Sequence, residues 1–254
     1  MVPSKIISDV IDIVCSGGNF DPAPANRPQR TTIVGRAIDI VPLDPIIHGD
    51  SLFAGAGGKE NAPLWRYLFE GPFTVREAFD AHLRQKALSE DSLFFAVLDK
   101  PSGLAVGYAA YMRIEPTHRV IEVGSILFTP RLQRTIGATE AMYLMARHVF
   151  EDLGYRRYEW KCNAENEPSR SAALRLGFTF EGIFRQHMII KGKNRDTAWF
   201  SMLDSEWLAC KEAFERWLDS SNFDLSGWQK RSLSMLRAEP RPSTPMKKTG
   251  KRQE

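Results

Sequence analysis

Between residues 31 and 218 the apolar and polar positions fall into a succession of strand-like and helix-like segments. Residues 31–41 alternate as a first strand, ended by Pro42. Residues 44–56 and 74–89 read as two helices. The second opens on Thr74-Val75-Arg76-Glu77, a capping box in which hydroxyl and carboxylate each satisfy an orphan backbone donor. A hairpin follows, residues 93–98 and 104–114 around the turn Lys100-Pro101-Ser102-Gly103. Residues 120–128 predict a strand that runs into Pro130. A helix is expected over 136–153, with Met142, Met145, Val149 and Leu153 on its apolar face and Gly154 as its stop.

Residues 156–162 alternate cleanly, with Tyr158, Trp160 and Cys162 on one face and Arg157, Glu159 and Lys161 on the other. The spacing predicts a short helix over 167–176, with Asn166 as N-cap, Pro168 in its first turn and Gly177 at its end. Two strands, 179–190 and 195–203, precede a helix over 205–218. This order predicts an α/β fold: one mixed, twisted sheet with helices on both faces.

The flanks differ in composition. Residues 1–30 read as an N-terminal arm whose second half is rich in Gly, Pro and Asn, and 31–220 as the folded domain. Residues 221–254 read as a C-terminal extension, mostly disordered, whose end holds Pro240, Pro242 and Pro245 followed by Lys247, Lys248, Lys251 and Arg252. The apolar run at the start carries Asp9 and Asp12, which a secretory signal would not tolerate. No stretch approaches the roughly 18–20 apolar residues of a membrane span, so no membrane partner and a cytoplasmic location are expected.

Composition narrows the chemistry. A net charge of +3 over 254 residues gives no reason to expect a nucleic-acid partner. Cys15, Cys162 and Cys210 form no CxxC pair and have no histidine at ligand spacing, so neither a disulfide framework nor a metal site is expected.

The densest signal is Glu122 to Ala141, EVGSILFTPRLQRTIGATEA. A buried strand passes through Pro130 into an Arg- and Gly-containing turn where a helix begins. Helix starts present unpaired N–H groups and the positive end of the helix dipole, which suit phosphate. Arg131 and Arg134 add formal charge, and Thr135 and Thr139 carry hydroxyl donors. The alternative is an ordinary loop with a solvated arginine pair. A second signal is Asn166-Glu167-Pro168-Ser169, eleven residues before Gly177-Phe178. Taken singly, Asn166 is a helix cap and Ser169 a first-turn serine. In a parallel strand pair, however, both helix starts lie at the same sheet edge, where ligands bind.

In these segments the chain resembles the GNAT acetyltransferases, in the branch typified by the ribosomal-protein N-terminal acetyltransferases RimJ and RimL. The residues that carry the resemblance are Gln133-Arg134-Thr135-Ile136-Gly137-Ala138-Thr139-Glu140-Ala141 and the run Asn163 to Phe178. Phe180-Glu181-Gly182-Ile183-Phe184-Arg185 and Arg195-Asp196-Thr197 also fit. The resemblance covers about 35–207. It implies a V-shaped opening between the strands at Glu122 and Arg156, occupied by acetyl-CoA. The pantetheine arm would meet backbone groups of Ile126, Leu127 and Phe128. The pyrophosphate would sit on Gln133, Arg134, Thr135, Gly137, Ala138 and Thr139, with Asn166 reaching the pantetheine arm and Ser169 near the thioester sulfur.

Two positions depart from the family pattern. Ile136 stands at the first glycine of the loop, so the turn must either have ordinary φ there or be shifted by one. Ala173 stands where many relatives carry a tyrosine that protonates departing CoA, and Ser169 is the substitute. A base is also needed, because an alkylammonium with a pKa near 10 is not nucleophilic at neutral pH. Glu122 is the candidate, directly or through water, with a strand-edge salt bridge as its alternative reading. Glu181 is a second candidate unless it only pairs with Arg185, and His118 a third. The expected reaction moves an acetyl group from acetyl-CoA to a primary amine of a small molecule. A protein N-terminus as acceptor and a non-catalytic acyl-CoA-binding module are the alternatives. Oligomeric state is left open.

Overall fold

Eight strands make one sheet in a computed structural model that describes residues 23–239. They are β1 (Ile33–Val34), β2 (Ile38–Pro42), β3 (Leu93–Asp99), β4 (Leu104–Glu115), β5 (Val120–Phe128), β6 (Arg157–Asn163), β7 (Thr179–Ile190) and β8 (Lys193–Leu203). Their order across the sheet is β1-β2-β3-β4-β5-β6-β8-β7. Every neighbouring pair is antiparallel except β5 and β6. The helices are α1 (Pro45–Ala56), α2 (Arg76–Leu88), α3 (Ile136–Arg147), α4 (Glu167–Leu176), α5 (Asp204–Leu218) and α6 (Leu233–Ala238).

The alternation of the strands divides the apolar residues between two cores. Helices α1 and α2 cover one face with Leu52, Phe79, Leu83, Trp65 and the β4 residues Tyr108 and Ala110. The other face carries α3, α4, α5 and α6, with Tyr111, Val123, Met145, Tyr158, Trp160, Ala173, Phe200 and Phe214 in its core. The strand face bearing Tyr158, Trp160 and Cys162 is buried in this second core, whereas Arg157, Glu159 and Lys161 face the α1/α2 side.

Several expectations need correction. The first strand is broken into β1 and β2, because the carboxylate of Glu140 on α3 accepts the N–H groups of Arg36, Ala37 and Ile38 at 2.7, 2.7 and 3.1 Å. Three successive amides turned toward one buried acceptor cannot also serve a straight ladder. Helix α2 begins at Arg76 behind Val75, with no side-chain cap, so the Thr74–Glu77 capping box is not formed. Helix α3 ends at Arg147, and a wider π-type turn over His148–Asp152 carries the apolar stripe on to Val149 and Leu153.

The arm and the extension are partly fastened to the domain. Ala25 and Asn26 donate backbone bonds to Pro116 and Leu153. Part of the segment expected to lack structure is ordered: α6 buries Leu233 and Leu236 against the second core. The start of the arm, with its Asp9 and Asp12, and the basic tail lie outside the described residues.

Candidate active site

The parallel pair β5–β6 is joined over only four residues, Val120↔Arg157 to Val123↔Trp160. Beyond them β5 continues to Phe128 along β4, and β6 to Asn163 along β8. A bulge in β5 accompanies the parting. Ser125 has φ +49°, and the strand shifts by one residue against β4 between Tyr108 and Ala110. Ile121 and Val123 point into the second core, and after the extra residue Ile126 and Phe128 do so again. The parting leaves an opening through the sheet, flanked by the backbone of Ile126, Leu127 and Phe128.

The loop from β5 to α3 closes one end of this opening. Thr129 accepts the N–H groups of Leu132 and Gln133, and Leu132 accepts that of Thr135. Thr135 is the N-cap, its Oγ1 accepting from the Ala138 N–H at 3.2 Å. No protein acceptor among the described residues takes the N–H groups of Arg134, Ile136 and Gly137, so these are the donors the turn holds out. Gln133 and Arg134 are exposed, and the Gln133 side chain donates to the Phe128 carbonyl. The positive φ of the turn falls on Arg134, at +61°, and not on Ile136, which is the ordinary first helical residue and exposed. Gly137 serves close approach: a Cβ there would lie 2.8 Å from Ile38. Thr139 is buried and its Oγ1 accepts from Arg175, which turns it into the helix contact and away from the loop.

The start of α4 stands on the same face. Asn166 caps it, its Oδ1 accepting the Ser169 N–H at 3.3 Å. Ser169 Oγ accepts from Trp160 Nε1 at 3.0 Å, so its own proton is left to donate. Burial pushes the neighbouring Cys162 thiol above its ordinary pKa while the Ser169 hydroxyl pulls it back, which places that hydroxyl beside β6. Ala173, one turn along, is fully buried in the core.

On the opposite face the last joined rungs of β5 and β6 are charged. Glu122 and Glu159 are register partners, and Lys161 Nζ lies 2.8 Å from Glu122 Oε2 and 2.7 Å from Glu159 Oε2. All three are nearly enclosed, and Lys161 also stands over the Trp199 ring at 3.8 Å. Arg113 approaches Glu122 at 3.8 Å. Burial pushes the Glu122 carboxyl above the usual carboxylate range, against the pull of Lys161. Burial acts on Glu159 too, but its bonds to Lys161 and Arg157 outweigh it and hold that carboxyl low. Glu122 is therefore the salt-bridged carboxylate of one earlier reading, and burial raises its pKa all the same. Its Oε1 lies over Gly124, 3.1 Å from where a Cβ would stand, at the residue where β6 turns away.

The other base candidates are placed differently. Glu181 is held by Arg157 at 2.8 and 2.5 Å and by Ser201 Oγ at 2.7 Å; its partner is Arg157, not Arg185. Those bonds hold its carboxyl low, the Arg157 bond most of all. His118 is exposed in the β4–β5 connection. Sequence reasoning assigned no role to Lys161, Glu159, Arg113 or Gly124. The available signal was the row of charges on one face of β6, an interior strand.

The acetyltransferase (GNAT) domain model matches residues 49–179. The chain belongs to the GNAT family of acetyl-CoA-dependent N-acyltransferases. A GCN5-related N-acetyltransferase from Brucella melitensis is 50% identical with a TM-score of 0.83, over 85% of this chain and 97% of that one. A GNAT-family acetyltransferase structure from Chromobacterium violaceum is 41% identical with a TM-score of 0.67, over 72% and 91%. The ribosomal-protein-serine acetyltransferase of Escherichia coli is 31% identical over 81 residues, 32% of this chain; the match spans 45% of that relative's length. For a GNAT chain the departure at Ile136 is thus conformationally neutral, since the left-handed residue of the loop is Arg134.

Proposed function

We propose that the protein transfers an acetyl group from acetyl-CoA directly to a primary amine of a small molecule. The observation that carries this reading is the parting of β5 and β6. It puts two helix starts on one face of the opening and the Oε1 edge of Glu122 on the other. The donor residues fit the co-substrate. The N–H groups of Arg134, Ile136 and Gly137, together with the Arg134 guanidinium, offer a diphosphate both dipole and charge. The backbone of Ile126 to Phe128 and the amide of Asn166 line the way to the thioester.

Direct transfer asks three things of the chain. The attacking nitrogen must lose a proton, and Glu122 accepts it, directly or through a water beside Oε1. The carbonyl carbon then gains a C–N bond and loses its C–S bond. The departing sulfur takes a proton from Ser169, whose hydroxyl is oriented by Trp160 Nε1, and the second proton that the nitrogen sheds as the amide forms restores that hydroxyl.

A small acceptor is favoured by a strap between α1 and α2. Tyr67 Oη donates to the Glu165 carbonyl at 3.1 Å, Lys191 Nζ to that of Trp65 at 2.9 Å, and the Phe69 ring lies under Arg195. These contacts hold the strap against the β8 side of the acceptor face. The name of the Escherichia coli relative favours a protein N-terminus instead. CoA release measured with acetyl-CoA and a panel of amines, amino acids and peptides decides between them. Turnover confined to peptides with a free α-amine would overturn the small-molecule reading. Absence of turnover with every acceptor, despite acetyl-CoA binding, would overturn catalysis itself.

A further inference from the structure

The acceptor face contains a buried cation that the chemistry above does not use. Arg195 opens the inward-facing row of β8, Arg195, Thr197, Trp199 and Ser201, whose last two members touch Lys161 and Glu181. It is only 7% exposed. Its one side-chain bond to the described protein runs from Nε to Thr197 Oγ1 at 3.3 Å, and its guanidinium lies 5.1 Å from the Phe69 ring centroid. No carboxylate of the described residues pairs with it, although every other nearly enclosed cation of this face has one: Lys161 has Glu122 and Glu159, and Lys86 has Glu70.

A guanidinium largely withdrawn from water without a counter-ion is costly. Burial pulls its pKa down, opposed first by the neighbouring Cys162 and then by the charge of Glu122, so both groups lie within electrostatic reach of the guanidinium. The orientation is set on two sides. Thr197 takes Nε and is itself bonded to His187 Nδ1 at 2.9 Å, Phe69 stacks on the plane, and the terminal nitrogens Nη1 and Nη2 have no partner among the described residues. A fixed guanidinium edge with two open donors matches a planar carboxylate bidentately.

We propose that Arg195 binds a carboxylate of the acceptor, so that the substrate is a small amine carrying a carboxylate near the amino group, such as an amino acid. The site is then complementary to a zwitterion. The ammonium meets the Oε1 edge of Glu122, which Lys161 leaves open, and the carboxylate meets Arg195, with Phe69 over the chain between them. This rests on the small-amine acetyltransferase reading and specifies its substrate class.

The test uses the full chain, acetyl-CoA and matched acceptors: free amino acids, their carboxamides and the corresponding amines without a carboxylate. The wild type should prefer the free acid over its carboxamide by tenfold or more in kcat/KM. Arg195→Gln should lower kcat/KM for the free acid by about 30-fold or more, chiefly through KM, and remove the preference. The KM for acetyl-CoA and turnover of the carboxylate-free amine should be unchanged, which also reports that the variant folds. Arg195→Lys, which keeps charge but not the fork, should recover part of the preference. Equal wild-type rates on acid and carboxamide would overturn the proposal, as would peptides outperforming free amino acids or an Arg195→Gln loss shared by all acceptors. Any of these with amine turnover intact leaves acetyltransfer standing, whereas no turnover at all removes the reading on which the proposal rests.

Discussion

The two faces of the opening are built by opposite means. On the α3/α4 face the donor side is made from backbone: three open N–H groups at a helix start, a strand edge freed from its partner, and two capped helices. Its charged side chains, Arg131 and Arg134, are exposed and loosely held. On the α1/α2 face the proposed acceptor side is made from side chains brought in by β4, β5, β6, β7 and β8. There Glu122, Glu159, Lys161 and Arg157 depend on one another for charge balance. Backbone recognition tolerates substitution because the donors belong to every residue. A buried ion network does not, because removing one member strands its neighbours.

The contrast should be visible in variants. Glu122→Gln keeps shape but cannot take a proton; kcat should fall by about 10²–10⁴-fold, with acetyl-CoA binding spared. The defect should shrink as pH rises and the amine deprotonates in solution. Full activity from pH 6 to 9 would show Glu122 to be structural and leave the proton to water.

Lys161→Met takes away the cation that bridges Glu122 and Glu159, leaving Arg157 on Glu159 and the more distant Arg113 as their counter-charges. Stability at pH 8 should drop by about 3–5 kcal/mol in urea titrations. Without Lys161 the folded-state pKa of both carboxyls rises. A carboxyl with a raised folded pKa favours folding below its unfolded value and loses that contribution as pH climbs through the folded one. The deficit should therefore be small in acid and grow toward neutral pH, and the acid limb of kcat should move to higher pH. A pH-independent deficit would mean that lost packing, not charge, dominates.

Effects on the donor side should be smaller. Arg134→Ala should weaken CoA by only about 0.5–1 kcal/mol, as expected of an exposed charge, and should leave pantetheine analogues without the diphosphate unaffected. Equal weakening of both ligands would remove Arg134 from the phosphate. Ile136→Gly should change acetyl-CoA affinity by less than about 0.5 kcal/mol, the usual range for an exposed site. A large loss would show that the loop packs through Ile136.

Much of the frame around the opening was readable in the chain itself. Residues 120–128 and 167–176 lie where alternation and capping put them, because both signals are local: side-chain period, a cap residue and a terminating glycine, here Gly177 at φ +106°. The errors arose where a distant group overrode local preference. Glu140, about a hundred residues away in sequence, breaks the first strand by taking three of its amides. Thr139 looked like a phosphate donor until Arg175 of another helix claimed it.

What the sequence determined alone, then, is the order of elements, the two-sided burial of the sheet and the helix start suited to phosphate, since each follows from residues within a turn or two of one another. The tertiary structure decided which carboxylate keeps a raised pKa, that Arg195 is left without a counter-ion among the described residues, and where β5 leaves β6. These depend on burial and on charges from strands far apart in the chain: Glu122 and Lys161 are separated by 39 residues and meet only because β5 and β6 lie side by side. Low dielectric then makes those few ångströms decide the chemistry.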